Sequence, residues 1–587
     1  MQGYSNRDVL LTLIGGHFMD KAVSAGKQKK TLRGTGDNWD LTVRAHHIRS
    51  SAQNKDLHLF ASNLYINRTS FITFDNKSPL DDILTCPRNT FTLNQNDIKM
   101  LRENFMVLIG RICTKFCKSF QFFSDVLPDH ITHRFSKEMA HQSIVIPLPI
   151  LNADEKKYDD CVCILRAYEN WIYEVYEHAN LLNHIEDAQL PSNSAQQHES
   201  GADPLADVAV LFGGDQLTRV RFAGAKDLLA GAHTPADRFE HCSPFKPAMW
   251  HTKASLLQYS YHLLYSAQSS SEKGTLKYFR EKYNRKNRKN PSKVLDSYEG
   301  SEELFISAGK AYIVTALIHF FGMKSVEDIP TKNMFPRNIS NADASNKMSY
   351  FEKVIGDFVD QYVFQGLPNS ESDDFIKNYA LCFIYLTLTV LQMKDTAAEG
   401  DGDRNLLNQK LLLTVFKSLG SYSKYAIEMF NSVAQMEVML TARRAEEFKW
   451  GFFTNWNGGE GRNIEDDLVQ EICNRLSKEV VQRMGANKTI YSISKACKAI
   501  GGIKMIVEQF DRSAHIHEVS GKHAVRSSTD DEYDMIKELQ LLNPFQHVQG
   551  RKHNSFLHVK RSPLLYLNIV EFHKWIEKHR KKLATRQ

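Results

Sequence analysis

The chain has 587 residues and a mass of 67.3 kDa, enough for about two to four domains. Hydrophobic residues at 42% and charged residues at 24% are ordinary for a globular protein and exclude wholesale disorder. The net charge of +6 is too small by itself to mark a nucleic-acid binder, but its distribution is uneven. Arg551–Gln587 holds ten Lys/Arg against Glu571 and Glu577, and Lys273–Lys293 holds nine against Glu281, a net +8 in each. The rest of the chain is acidic, so these two segments are read either as phosphate contacts or as solvated surface.

In chain order, Met1–Asp20 carries Arg7 and Asp8 and no small-residue cleavage site, so no secretory signal is expected. Up to about residue 225 the texture is mixed. β-rich runs at Asp40–Val43, Ser143–Leu148 and Asp160–Leu165 alternate with helical stretches at Gln95–Phe123 and Leu165–His184. Ser192–Asp203 reads as a loop, and D-V-A-V-L-F (Asp207–Phe212), ending in Gly213–Gly214, as a buried central strand. From about Thr252 to Glu447 the pattern is all helical: Lys253–Ser266, Glu302–Phe321, Ser349–Gln365, Phe375–Met393 and Leu406–Gly420. The separators are polar, at Asn338–Asn346 and Asp395–Arg404. Tyr379–Met393, at about 15 residues, is short of the ~20 that span a bilayer and reads as a buried helix, so no membrane is expected as a partner. A Gly/Asn-rich stretch, Asn455–Arg462, precedes a further helix from near Ile464.

Several chemistries lack their signatures. Phosphate loops, dinucleotide turns, nucleophile elbows and H-E-x-x-H are all missing from the sequence. Cys161-x-Cys163, alternating on an expected strand, and Cys113/Cys117, one helical turn apart, read as core thiols rather than zinc ligands. Nine cysteines without a dense framework imply reduced thiols and an intracellular setting. The sequons at Asn67, Asn76, Asn338 and Asn487 then carry no meaning.

Acids stand at the ends of elements expected to be buried. Asp215 follows the central strand in F-G-G-D-Q-L-T, where open α/β sheets place ligands, although an aspartate there also caps a helix such as Leu217–Leu229. Asp37 and Asp40 lie in G-T-G-D-N-W-D-L-T-V. In I-E-D-D-L-V-Q-E-I-C-N-R-L-S-K, helical spacing puts Asp467, Glu471, Asn474 and Lys478 on one face, which is otherwise a solvent-facing stripe. Two strand-borne aspartates and a helix-borne glutamate form a set that clamps two divalent ions beside a phosphodiester.

The F-G-G-D-Q-L-T segment resembles an uncharacterised domain family of fungi and animals with a G-D-Q-L-T signature, itself similar to DDE-type cut-and-paste transposases of the ribonuclease H fold. Arg221, Ala225, P-A-M-W-H-T-K (Pro247–Lys253), Gly274-Thr275-Leu276, G-D-N-W-D (Gly36–Asp40), D-L-H-L-F (Asp56–Phe60), Asn67-Arg68 and the late acidic helix extend the resemblance over most of residues 30–510. The resemblance implies an α/β fold: an RNase H-like mixed-sheet core interrupted by a large all-helical insertion, with a basic C-terminal tail. Its expected parts are an N-terminal helix (1–28), the first part of the core (29–251), the insertion (252–447), the closing part (448–547) and the tail (548–587).

It also implies catalytic and metal-binding roles for Asp37, Asp215 and Glu471, holding two Mg²⁺ or Mn²⁺ ions, with Asp75 in T-F-D-N as an alternative first acid. DNA is the expected partner. Arg221, His251, Lys478, Lys286, Arg288, Lys289, Arg580, Lys581 and Lys582 are its candidate contacts, with Tyr278, Phe279, Tyr283 and Trp575 among the charges. Ala248 stands where transposases often carry Cys or Asp, and the sequence begins close to the core, without an upstream zinc-binding recognition module. Two readings result, a nuclease or strand-transferase and a catalytically silent DNA-binding or scaffold protein; a helical adaptor without nucleic acid fits the basic runs less well. Function and the K-H-R-K-K run (Lys578–Lys582) point to the nucleus, otherwise the cytoplasm. The oligomeric state stays open.

Overall fold

The computed structural model describes residues 20–28, 30–44, 48–50, 53–182, 203–285, 294–336, 338–364, 373–484, 488–499, 513 and 528–585. Five strands, β1 (Leu32–Val43), β2 (Lys55–Ile66), β3 (Val145–Pro147), β4 (Leu211–Gly214) and β5 (Phe245–Pro247), form a mixed sheet in the order β3-β2-β1-β4-β5. β1 and β2 pair antiparallel from Leu32↔Ile66 to Val43↔Lys55, and β3 adds antiparallel to β2. β4 lies parallel to β1, and β5 parallel to β4. A small hairpin, β6 (Phe453–Asn455) and β7 (Asn463–Glu465), has the Gly/Asn-rich stretch as its loop.

The helices in chain order are α1 (20–27), α2 (Gln95–Phe116), α3 (Ser136–Ala140), α4 (Tyr158–His178), α5 (Gln216–Leu228), α6 (Met249–Leu264), α7 (Leu276–Lys282) and α8 (Tyr298–Phe321). They continue as α9 (Ala344–Tyr362), α10 (Phe375–Glu399), α11 (Gly402–Ser418), α12 (Ser423–Ala434), α13 (Ala442–Lys449), α14 (Asp466–Gln482), α15 (Ile490–Lys498), α16 (Thr529–Leu542) and α17 (Ile569–Ala584).

Strand periodicity sends alternate residues of β1 to opposite faces. Arg33, Thr35, Asp37, Trp39, Leu41 and Val43 share the face covered by α14 and α15, where Trp39 packs with Val481, Ile493 and Cys497. On the other face, α1, α4 and α5 close over Leu32, Phe60 and Phe212, with Tyr168 of α4 stacked on Phe212. The G-T-G of β1 is required there. A Cβ on Gly34 would sit 2.2 Å from the Phe212 ring, and one on Gly36 would sit 2.4 Å from Phe60.

The second body is helical and built around α8 and α10. Both are long and apolar enough to cross a membrane by length and composition, and 89% and 83% of their apolar windows are buried within the fold. This body recruits segments from well outside 252–447: α2 stacks Phe105 on Phe364, and α17 buries Phe572 and Ile576 in the same core. The expected basic C-terminal tail thus contains a helix, α17, docked on this body.

Other expectations also change. Asp160–Leu165 lies inside α4, because Cys161, Ile164, Leu165, Tyr168, Ile172 and Val175 are buried at helical spacing. Asp395–Arg404 is not an extended separator. α10 runs on to Glu399, Gly400 takes a left-handed φ of 72°, and Asp401 caps α11 at once. The central strand starts at Leu211, and Asp207–Val210 leads into it, with Val210 N–H donating to the His241 carbonyl. Residues 1–19 of the expected N-terminal helix, and all of the expected Ser192–Asp203 loop except Asp203, lie outside the described residues.

Candidate functional site

Register builds the site. Thr35 pairs with Gly213, so two residues further on the parallel strands carry Asp37 and Asp215 to adjacent positions. Gly214 permits this approach, since a Cβ there would lie 3.0 Å from the Gly36 carbonyl oxygen. Asp215 is also the N-cap of α5, accepting a 2.7 Å hydrogen bond from Thr218 N–H, so the capping reading of this residue holds as well. Asp37 points at α14, where Asn474 Nδ2 donates to its Oδ2 at 3.2 Å. Glu471, one turn before Asn474, is 41% exposed, with its Oε1 3.9 Å from His251 Nε2.

The electrostatics place these groups together. Burial holds the Asp37 carboxyl well above the usual carboxylate range, and the charges of Glu471, Asp215 and Glu155 push it further, opposed by His251. Burial would lower the His251 imidazole, but the hydrogen bond and charge of Asp467, with the charges of Asp37 and Asp215, lift it to about 9. His251 is thus a cation at neutral pH, facing the acids.

The three acids that open the late helix hold α14 in place instead of joining the site. Glu465 accepts from Lys253 Nζ at 2.6 Å. Asp466 accepts from Arg33 Nε at 2.9 Å, from Thr454 Oγ1 at 2.6 Å and from the Lys246 ammonium. Burial would raise the Asp466 carboxyl, but Arg33 and Lys246 outweigh it and keep the group far below the usual range. Asp467 takes the first N–H groups of α6 (Trp250 at 3.1 Å, His251 at 3.0 Å) and His251 Nδ1 at 3.0 Å. A helix that starts with every carboxylate anchored presents Glu471 and Asn474, one to two turns on, at a fixed height over Asp37.

Glu155 is the residue sequence reasoning missed. It lies fully buried before α4, accepting from Asn38 Nδ2 and Thr218 Oγ1. Burial pushes its carboxyl up to about 7 against those bonds, and Asp215 adds to the rise. Its two donors are the neighbour of Asp37 and the residue whose N–H holds Asp215, so it braces both acid-bearing elements from behind. Nothing in A-D-E-K-K distinguishes it from a solvent loop.

Asp75, the alternative first acid, is an exposed residue after β2, and its carbonyl accepts from Arg443 N–H at the start of α13. Among the described residues, no three His, Cys, Asp or Glu side chains form a ready-made metal cage. Cys161 is buried and Cys163 exposed on α4, while Cys113 and Cys117 are core residues.

The nucleic-acid candidates scatter. Arg221 lies 4.7 Å over the Tyr158 ring, and Lys478 lies 6.0 Å from the Trp39 ring centre on the site face of α14. Lys286, Arg288 and Lys289 fall outside the described residues. Cations of the described part of their segment meet acids of α16 and α8: Lys282 pairs with Asp534 and Glu538, and Arg285 with Asp531 and Glu303. Tyr278 and Tyr283 donate to Glu538 and Asp534, and Phe279 is core. Arg580 is a correction: it is buried, donating to the Ile83 and Cys86 carbonyls, and is unavailable to phosphate. Lys581 and Lys582 are exposed. Lys581 lines a groove of about 700 Å³ with Arg88, His573, Lys574, Lys578 and one acid, Glu577, which pairs with Arg88.

Compared with known proteins, residues 82–523 match the family described as "Family of unknown function (DUF6589)", and the chain belongs to that family. No curated protein and no solved structure matches.

Proposed function

We propose that this DUF6589 member is a DNA-binding protein of the RNase H-like, DDE-transposase type, with a divalent-cation-dependent phosphodiester site at Asp37, Asp215 and Glu471. The observation that carries the reading is the convergence of these three acids, from β1, the end of β4 and α14, onto one end of a single seam. The strand order β3-β2-β1-β4-β5, with three antiparallel strands and two parallel additions, supports the RNase H-like assignment. Large helical insertions before the last acid, here 252–447, suit the same class.

The donor set fits Mg²⁺ or Mn²⁺. It is all carboxylate oxygen, and the charge repulsion on Asp37 is what a hard cation relieves. Asp37, Asp215 and Glu471 would hold the ions, which supply polarisation of the phosphate and a nucleophile from water, or from a 3′-hydroxyl in strand transfer. The chain's own groups do the rest. Asn474 orients Asp37, Glu155 fixes the backbone segments that carry Asp37 and Asp215, and protonated His251 presents Nε2 toward phosphate. The exposed lysines of α17 add non-specific affinity. Nuclear residence belongs to this reading.

A second reading is a silent DNA-binding or scaffold protein on the same fold, which uses the exposed cations and needs no chemistry from the acids. Strand cleavage with Mg²⁺ or Mn²⁺ decides between them. The first reading expects cleavage by wild type and loss in Asp215→Ala; activity that is absent, or equal in both proteins, leaves only the second.

A further inference from the structure

Lysine-rich stretches of sequence and accessible cations of the fold coincide only in part: Lys581 and Lys582 of the basic C-terminal stretch are exposed. In α7 and the residues after it, the described basic side chains Lys277, Lys282 and Arg285 pair with carboxylates. On α14 they do not. Among the described residues no carboxylate pairs with Arg475, Lys478 or Arg483, nor with Lys488 and Lys498 around α15.

Helical spacing puts Glu471, Arg475, Lys478 and Gln482 on one stripe, so the cations continue directly from the third acid along the same helix. Lys478 is about 10 Å along the axis from Glu471. α15 then presents Tyr491, 65% exposed, with Lys495 Nζ 4.5 Å over its ring, and Lys498 on the same face. Among the described residues of this stretch after Glu471, Glu479 is the lone acid. A large exposed aromatic with a cation over its face is a stacking platform, and cations without carboxylate partners, here Arg475 and Lys478, track a phosphate backbone.

We propose that the α14–α15 surface is a single-strand track. A DNA strand leaving the acid site would run along Arg475 and Lys478 and stack a base on Tyr491. This rests on the reading of the site above, but it can fail separately from it.

The test is fluorescence anisotropy with a labelled single strand and the matching duplex, using the full chain. Wild type should prefer the single strand. Tyr491→Ala should weaken that binding by roughly five- to a hundred-fold. The pair Arg475→Gln and Lys478→Gln should flatten the single-strand salt slope by about 1.4. All three side chains are solvent-accessible, and circular dichroism confirms that the variants fold. Unchanged affinity and slope in the folded variants, or tighter duplex than single-strand binding, overturns the track. Asp215→Ala, read in this binding assay and in the strand-cleavage assay, separates the two ideas: lost cleavage with retained binding supports both, and a track without any wild-type cleavage removes only the metal site.

Discussion

Asp466 and Asp37 lie in the same seam between β1 and α14, and the protein treats them in opposite ways. Asp466 is sealed against Arg33 and Lys246, which keep it ionised far below the ordinary range. Asp37, four residues along the strand from Arg33, meets Glu471, Asp215 and Glu155 and is held well above it, with His251 as the opposing cation. Burial raises both carboxyls, so the partners decide the outcome. One end of the seam is a compensated anchor. The other crowds carboxyls together, a repulsion that a proton on Asp37 or an added cation relieves.

The largest expected effect breaks the anchor. Asp466→Ala leaves Arg33 and Lys246 buried without their counter-ion and should cost about 3–5 kcal/mol in urea unfolding at neutral pH. Because the folded Asp466 is depressed, its contribution is present above an ordinary carboxylate value of about 4 and is lost as pH falls through its lower folded value. The variant should lack that acid-side loss. A cost under about 1 kcal/mol would mean the seam is held elsewhere.

The acid end predicts the reverse response to metal. Mn²⁺ at a hundred times its dissociation constant should stabilise wild type by about 2.7 kcal/mol and Asp37→Asn hardly at all. Equal stabilisation in both proteins would end the contrast. Without metal, the raised Asp37 favours the fold fully below about pH 4, and that advantage is lost as pH rises through its folded value. Asp37→Asn should therefore gain relative stability toward alkaline pH, as thermal unfolding across pH would show.

Glu155 sharpens the comparison at smaller scale. Its folded value of about 7 predicts that wild type loses roughly 3 kcal/mol as pH rises from about 4.5 through 7, and that Glu155→Gln removes this slope. An unchanged slope would mean the acid is ionised in its pocket. The smallest effect concerns the paired cations of α7. Lys282→Ala should cost about 0.2–1 kcal/mol and leave DNA affinity untouched, since its charge is already matched by Asp534 and Glu538. A weakened affinity would show that these pairs open for phosphate.

The sequence by itself determined a good deal. Long apolar periodicity marked most of the helical body, and F-G-G-D-Q-L-T marked an acid between a strand end and a helix start, because both signals are local. Its errors were local too: D-C-V-C-I-L reads as alternation unless the burial of Cys161, Ile164, Leu165 and Tyr168 is known. Only the tertiary structure decided that E-D-D anchors the helix while the later Glu471 faces Asp37, that Glu155 braces two acid-bearing segments, that Arg580 is core, and that Arg475 and Lys478 on α14 have no carboxylate partner among the described residues. Each of these depends on which charge meets which across separations of tens to hundreds of residues, as when Arg33 meets Asp466, 433 positions away. Charge pairing acts through space, and no periodicity along the chain records it.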